Sequence, residues 1–546
     1  MLGVGRASVA GDFFELGGNS LLATQLVSRI REVFRVEMPL RQLFERPTIR
    51  SLAELLQSSE ASKAELPAIV PIARDSGVPL SFAQMRLWFL YQLEPDSSAY
   101  NIPTVVRLTG FLDVAALDRT LSELLRRHES LRTTFTTVNG VPQQVIAPAE
   151  PVRLTTEDLS RLDEHEREQE AQRLIREEID RPFDLEQGPV LRVALWRLGE
   201  EEHLLALVLH HIVSDAWSRG VLVRELSALY ESFAAGEPSP LPELNIQYAD
   251  FAHWQRTWLT GEMVENQLAY WRQQLGGRLP ALNLPTDMPP SPVQGFRGAA
   301  QKFNSLAAMT EPLKALSRRE GVTLFMTLLA ALKVLLHHYT EQSEIAVGAT
   351  LAGRNHPALE QLVGFFVNTV VMCTDLSGDP TFRELQGRVR QVSLGAYAHQ
   401  DVPIDRVLEE LRAGRERTRN PLEVAFTLDN TPRETVELPG LTVSLVETTI
   451  KTTRLNLVLA LNETPHGLTG SFQYNVDLFN SSTIARMIAH YELLLRSILA
   501  QPDIRVSELR AILDDADRQV RELRQNDLKS ARQRMVQNAR LASAGR

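Results

Sequence analysis

Two adjacent histidines with an aspartate four residues on, His210-His211-Ile212-Val213-Ser214-Asp215, follow a run of mostly apolar residues over 203–209. That run reads as a buried strand, and neighbouring side chains on a strand point to opposite faces. One imidazole can therefore face a cavity while the other packs inside and hydrogen-bonds. A histidine with an ordinary pKa of about 6.5 can accept, share or hold a proton near neutrality. Paired histidines at a strand end also serve structure alone, and the chain holds a control in His337-His338. That second pair ends a helical pattern and has Gln342, not aspartate, four residues on, which assigns it to structure. A metal is not expected at the first pair, because no nearby cysteine or further histidine completes a ligand set.

A second reactive group is Ser20. It follows Gly17-Gly18-Asn19 and opens a repeat of Leu21, Leu22, Leu26, Ile30, Val33 and Phe34 at helical spacing. A serine there can be an N-cap that accepts from free backbone N–H groups. Position alone favours the cap, but the hydroxyl can also carry a phosphodiester, which the positive end of the helix dipole would stabilise. A nucleophile elbow is excluded: Leu22 stands at the closing position where that motif has glycine, and no strand precedes it.

These groups need a scaffold. The 546 residues suggest roughly three to four domains. Hydrophobic residues make up 44% and charged residues 23%, a globular composition that argues against disorder or fibre. Lys and Arg number 58 against 68 Asp and Glu, a net charge of −10, which weighs against nucleic acid as a partner. The lone Cys373 excludes a disulfide framework and a multi-cysteine zinc site. No signal pattern opens the chain, and the most apolar stretch, 322–336, is interrupted by Lys333 and reads as a buried helix. No membrane is expected, and a cytoplasmic location is.

Residues 1–60 form a small first unit, and 61–79 an extended connector punctuated by Pro67, Pro71, Gly77 and Pro79. Beyond residue 80, helical patterns such as 114–127 and 164–179 alternate with strand-like runs such as 203–213 and 344–347. The alternation favours sheets covered by helices. A proline-rich loop over 280–298 is expected between two lobes, 80–279 and 299–515, and the basic tail 516–546 reads as a helix or linker.

The segment Asp12-Phe13-Phe14-Glu15-Leu16-Gly17-Gly18-Asn19-Ser20-Leu21 resembles the core motif of the peptidyl carrier proteins of non-ribosomal peptide synthetases. The resemblance implies a 4′-phosphopantetheine arm on Ser20, installed by a phosphopantetheinyl transferase and holding an acyl group as a thioester. Asn19 stands where that family most often has histidine or aspartate. A carrier is a four-helix bundle whose first helix precedes the loop; the 19 residues before Ser20 leave that helix cut or absent.

His210-His211-x-x-x-Asp215 in turn resembles the active-site motif of condensation domains. Residues 80–90, 127–135, 248–255, 364–369, 399–403 and 419–422 are similar to that family's other motifs, in order. The resemblance implies an α/β fold of two chloramphenicol-acetyltransferase-like lobes, with the active site at their junction. It implies an acceptor amine attacking a donor thioester to form an amide. By the resemblance, His211 is expected to project into the channel, with His210 and Asp215 supporting its loop; Arg132 and Arg419 are the two candidate partners of Asp215, and the sequence leaves both open. Ala216 replaces the glycine usual after the aspartate, which narrows the channel, alters the choice of acceptor or is simply tolerated. Asn368, Gln400 and Asp401 read as structural polar groups at the lobe junction. The motif at 80–90 and the Asp215-Ala216-Trp217-Ser218 context look like the subtype taking a donor that ends in an L-residue. The implied partners are an acceptor aminoacyl carrier of the next module and neighbouring synthetase domains, the chain being a piece of a larger synthetase. Dehydration or another modification of a tethered substrate, and a non-catalytic carrier-docking platform, are the alternatives.

Overall fold

A computed structural model describes residues 6–57, 62–63, 67–75, 77–276, 279–289, 297–412, 422–430, 438–448, 451–523 and 525. Among the described residues the first unit holds three helices, Ser20–Phe34, Leu40–Glu45 and Ile49–Gln57, and none precedes Ser20. The loop before Ser20 turns tightly because Asp12 Oδ1 accepts from Phe14 N at 2.7 Å. Gly17 sits at φ 100°, and a β-carbon on Gly18 would strike the Phe13 ring at 2.3 Å, so both glycines are required by geometry.

The first lobe is a five-stranded sheet in the order Leu441–Leu445, Asn101–Gly110, Glu202–His210, Leu191–Gly199, Thr156–Asp158. Strand alternation gives it two apolar faces. Leu205 and Leu209 pack under the helices Val114–Arg127 and Ala216–Ala234, whereas Leu204 and Ala206 meet Ala171 and Ile175 of the helix Glu164–Asp180.

The second lobe is a mixed six-stranded sheet in the order Gly298–Phe303, Gly467–Asn475, Leu457–Thr464, Val424–Asp429, Glu344–Leu351, Asn368–Asp375. The helix Leu324–Thr340 is buried through most of its length. Its Lys333 ammonium donates to the carbonyls of Ile345 (2.9 Å) and Met372 (2.5 Å), and burial pushes its pKa down to about 7. Among the described residues no single helix is long and apolar enough to cross a membrane.

Three placements differ from the sequence reading. The helix Gly261–Gln274 belongs with the second lobe, where Leu268 and Trp271 join its core and the Trp271 indole donates to His399 O at 3.0 Å. The described part of 280–298 lies along that same lobe: Leu282 is buried there and Asp287 N donates to Leu478 O at 2.9 Å. The strand Leu441–Leu445, drawn from the second half of the chain, completes the edge of the first lobe's sheet beside Asn101–Gly110. An apolar helix face or strand edge can be satisfied by either lobe, so periodicity does not assign it. Of the tail, 516–523 continue a helix over 506–523; beyond it only Gln525 falls within the described residues.

The lobes are tied by residues 363–366. Val363 enters the core beneath the first lobe's helices, and Phe365 packs with Trp88 and Phe135. Gly364 leaves no room for a side chain, since a β-carbon would lie 1.9 Å from the ring of the fully buried Tyr248. Gly364→Ala should therefore lower stability by about 1–3 kcal/mol through overpacking. Gly387→Ala, on a helix with nothing within 4 Å, should be neutral or stabilising. Urea midpoints of the two variants side by side check this.

Candidate active site

The strand Glu202–His210 ends at His210, earlier than the expected 203–213, because His210 Nδ1 accepts from Ile212 N at 3.2 Å and turns the chain into the short helix His211–Val213. The two imidazoles part company at that corner. His210 is 4% exposed, lies between the rings of Tyr100 and Phe183, and is held neutral by burial, its pKa pushed down to about 3. His211 lines a cavity of about 1890 Å³ between the lobes. Its Nδ1 lies 2.7 Å from the Ser214 carbonyl, which only an N–H can satisfy, so the proton sits on Nδ1 and Nε2 is the free base nitrogen. Burial, then the Arg454 charge, pushes this imidazole down to about 4. Arg454 was not singled out from sequence; its guanidinium lies 3.8 Å over the Tyr100 ring, donates to Ala99 O at 2.9 Å and lines the same cavity.

Asp215 is 1% exposed and fully engaged. Oδ1 caps the helix Ala216–Ala234 by accepting from Ser218 N at 2.7 Å, and Oδ2 accepts from Phe366 N at 3.1 Å. Its cationic partner is Arg354, 3.3 Å away and equally buried. The expected Arg132 pairing is thus corrected: Arg132 Nε donates to Leu125 O at 3.1 Å and a terminal nitrogen to Ala147 O. Arg419, the other candidate, lies outside the described residues. Arg354 also donates to Leu362 O and Ser218 Oγ, each at 2.8 Å, and stacks 4.0 Å over Phe366. The pair joins a helix cap of one lobe to a loop of the other, directly behind His211.

Ala216 opens that helix, exposed to the cavity, and its φ is not positive, so alanine meets no backbone strain there. Asn368 donates to the carbonyls of Gln400 (2.6 Å) and Val402 (2.9 Å), and Asp401 accepts from Asn355 and Gln267, each at 3.0 Å. Those bonds serve structure, though Asn368, Gln400 and Asp401 all line the cavity.

Ser20 is the first residue of its helix rather than the cap; Asn19 Oδ1 caps it, accepting from Leu22 N at 3.0 Å. The serine hydroxyl is thereby released from the capping role and lies 3.3 Å from Thr323 Oγ1. It also meets the phenol of Tyr397, a cavity-lining residue whose pKa burial pushes up to about 12. A hydroxyl at the start of a 15-residue helix, free of cap duty and beside the cavity, fits a phosphodiester-linked arm. The unit bearing it is docked on the second lobe. Ser28 Oγ donates to Asn355 O at 2.7 Å, Arg29 pairs with Glu360 at 3.0 Å, and Val27, Leu43 and Phe44 join the second lobe's core. Thr24, Val27, Ser28 and Arg31 line the same cavity as His211.

Comparison with known proteins agrees with this arrangement. Residues 75–520 match the family model of the condensation domain, and residues 1–56 that of the phosphopantetheine attachment site. The chain is 47% identical over 525 residues to a linear gramicidin synthase of Brevibacillus parabrevis, covering 95% of this chain and 7% of that protein. It is 45% identical over 456 residues to chondramide synthase cmdD of Chondromyces crocatus, covering 83% of this chain and 12% of that one. The chain thus spans a small part of these curated relatives. Among solved structures, the X-domain from teicoplanin biosynthesis superposes with a TM-score of 0.73 at 29% identity over 81% of this chain and 99% of that one. The first condensation domain of the calcium-dependent antibiotic synthetase shares the fold, with a TM-score of 0.67 at 21% identity over 80% of this chain and 99% of that one. Two α/β lobes around a histidine-lined cavity, with a small helical unit carrying Ser20 at its edge, identify this chain as a member of the condensation-domain family preceded by a phosphopantetheine attachment site.

Proposed function

We propose that this chain forms an amide bond in non-ribosomal peptide synthesis, an acceptor aminoacyl amine attacking a donor thioester. The observation that carries the reading is the free Nε2 of His211 on a cavity also lined by the unit that bears Ser20. A 4′-phosphopantetheine arm on Ser20 supplies the activated acyl group. His211 Nε2 accepts a hydrogen bond from the attacking amine and takes or shares its proton as the carbon–nitrogen bond forms; the thioester's carbon–sulfur bond then breaks and the proton passes to the departing thiol. Asp215 and Arg354 hold the loop that aims the imidazole. The lobes keep two tethered reactants in register, and such orientation is worth roughly 7–11 kcal/mol of a barrier. Because the thioester is already activated, no covalent enzyme intermediate is needed.

The docked unit serves the adjoining site in cis as donor, and the acceptor comes on a carrier of the next module. The donor ends in an L-residue, as the motif at 80–90 and the Asp215-Ala216-Trp217-Ser218 context suggest. Other partners are the neighbouring synthetase domains and a phosphopantetheinyl transferase, in the cytoplasm. The test is intact-protein mass spectrometry with an acyl-peptide loaded at Ser20 and a separately loaded aminoacyl carrier. Gain of the donor mass by the acceptor supports the reading. Likeness to an X-domain that has also been solved in complex with OxyB favours a second one, a docking platform; an unchanged acceptor with Ser20 loaded would adopt it.

The low basicity of His211 has a kinetic signature. Its imidazole stays neutral well below the ordinary range. Between about pH 7 and 5 the rate constant kcat/KM should fall with a slope of one, from protonation of the acceptor amine alone. A second unit of slope should appear only toward pH 4, whereas an unperturbed histidine would add it near about 6.5. A pH–rate profile on loaded carriers checks this.

A further inference from the structure

His337 and His338 do different work. His337 Nδ1 bonds the Gln342 carbonyl at 2.7 Å and is spent within its own turn. His338, at the end of the helix Leu324–Thr340, faces His490 of the helix Ser481–Ala500, the rings 5.6 Å apart and 79° to each other. The helix over 506–523 brings Asp514 and Asp517 to the same place. One ligand atom from each of His338, His490 and Asp517 lies within 4.8 Å of the others.

We propose that this cluster binds a divalent transition-metal ion of the zinc class, pinning the helix over 506–523 to two helices of the second lobe. Ligands about 2.0–2.2 Å from a tetrahedral zinc ion stand about 3.3–3.6 Å from one another. His490 Nε2 and Asp517 Oδ1 already stand 3.3 Å apart. The Tyr339 hydroxyl lies 2.9 Å from His490 Nδ1, leaving Nε2 as the ligand nitrogen; an outer partner of this kind orients a metal-bound imidazole. His490 is 4% exposed and His338 is nearly covered, so the two rings are held by packing before any ion arrives. Asp514, with Oδ1 3.9 Å from His338 Nδ1 but outside the three-ligand cluster, would have to move inward to supply a fourth oxygen; otherwise that position is left to water. Two neutral imidazoles with one or two carboxylates are a donor set that zinc takes readily. Arg486 lies near His490 and Arg510 near His338, and each positive charge helps to hold the neighbouring imidazole neutral. The site escapes a reading of the sequence because its ligands come from residues 338, 490 and 517.

The test uses the full chain, stripped with a chelator and dialysed against Zn²⁺, with metal per chain counted by elemental analysis. A parallel Co²⁺ titration reads coordination from the visible d–d bands. The expected result is one equivalent, intense tetrahedral bands, and at least about tenfold weaker binding in Asp517→Asn and His490→Gln. Asp517 is partly exposed on the terminal helix, so its substitution tests the site without opening the core. Absence of saturable uptake, pale octahedral Co²⁺ bands, or uptake unchanged in both variants overturns the site.

Discussion

Replacing His211 by alanine is expected to slow amide formation by about 10²–10⁴-fold while leaving the loading of Ser20 unchanged. The size follows from what the imidazole contributes: one acceptor nitrogen, aimed by the Nδ1 bond to Ser214, on a cavity wall. Its conjugate acid, at about 4, makes it a feeble base for a ground-state amine. It is a better partner for the cationic nitrogen that develops once the carbon–nitrogen bond begins to form. His211→Gln separates these contributions, because an amide oxygen can accept the same hydrogen bond without taking the proton. A glutamine variant well above the alanine one would assign the effect to orientation, and equal losses would assign it to proton transfer. His210→Ala should instead lower stability, since that ring is packed between Tyr100 and Phe183. Single-turnover mass kinetics read the first effect and denaturation midpoints the second.

Asp215→Ala is expected to cost about 3–5 kcal/mol, the usual penalty for leaving half of a buried ion pair. Arg354 would keep its charge while its remaining hydrogen bonds run to carbonyl and hydroxyl oxygens, with Glu360 as a carboxylate near it. The helix Ala216–Ala234 would lose its cap, and Phe366 N its acceptor. Arg354→Met should fall by a similar amount from the other side. The double variant should lose less than the sum of the two, because neither charge is then stranded. Denaturant titration of all four proteins gives the cycle. Additive losses would mean that the two residues act independently. Activity should drop with each single variant even where it folds, since the loop behind His211 is then free to move.

Local pattern carries the reading of the first half of this site. Adjacent histidines at the end of an apolar run are a short-range signal, and so is a serine before a helical repeat. The helix cap falls one position earlier than expected, on Asn19 rather than Ser20, because both residue types serve and only the backbone angles decide. Arg354 is invisible in the sequence for a different reason: its partner is 139 residues away, and an arginine that will be buried looks like one that will be solvated. The ends of the lobes fall elsewhere than expected because the face of Leu268 and Trp271 suits either core. Local chemistry is written in neighbouring residues, whereas pairing across the junction is a property of the assembled chain.

The strand Leu441–Leu445 bears on how the protein comes into being. Its partner, Asn101–Gly110, is made some 330 residues earlier. At about 5–20 residues per second, the ribosome leaves that edge without its neighbour for roughly 15–65 s. Once Glu202–His210 has been made and has paired on the inner side, Val106 and Leu108 lie on a strand whose outer hydrogen-bonding groups stay open to any passing chain until Leu441–Leu445 arrives. The first lobe therefore cannot finish as an autonomous unit during synthesis. A separately produced N-terminal half would keep its sheet edge bare and tend to associate through it, even with every residue of the histidine motif in place.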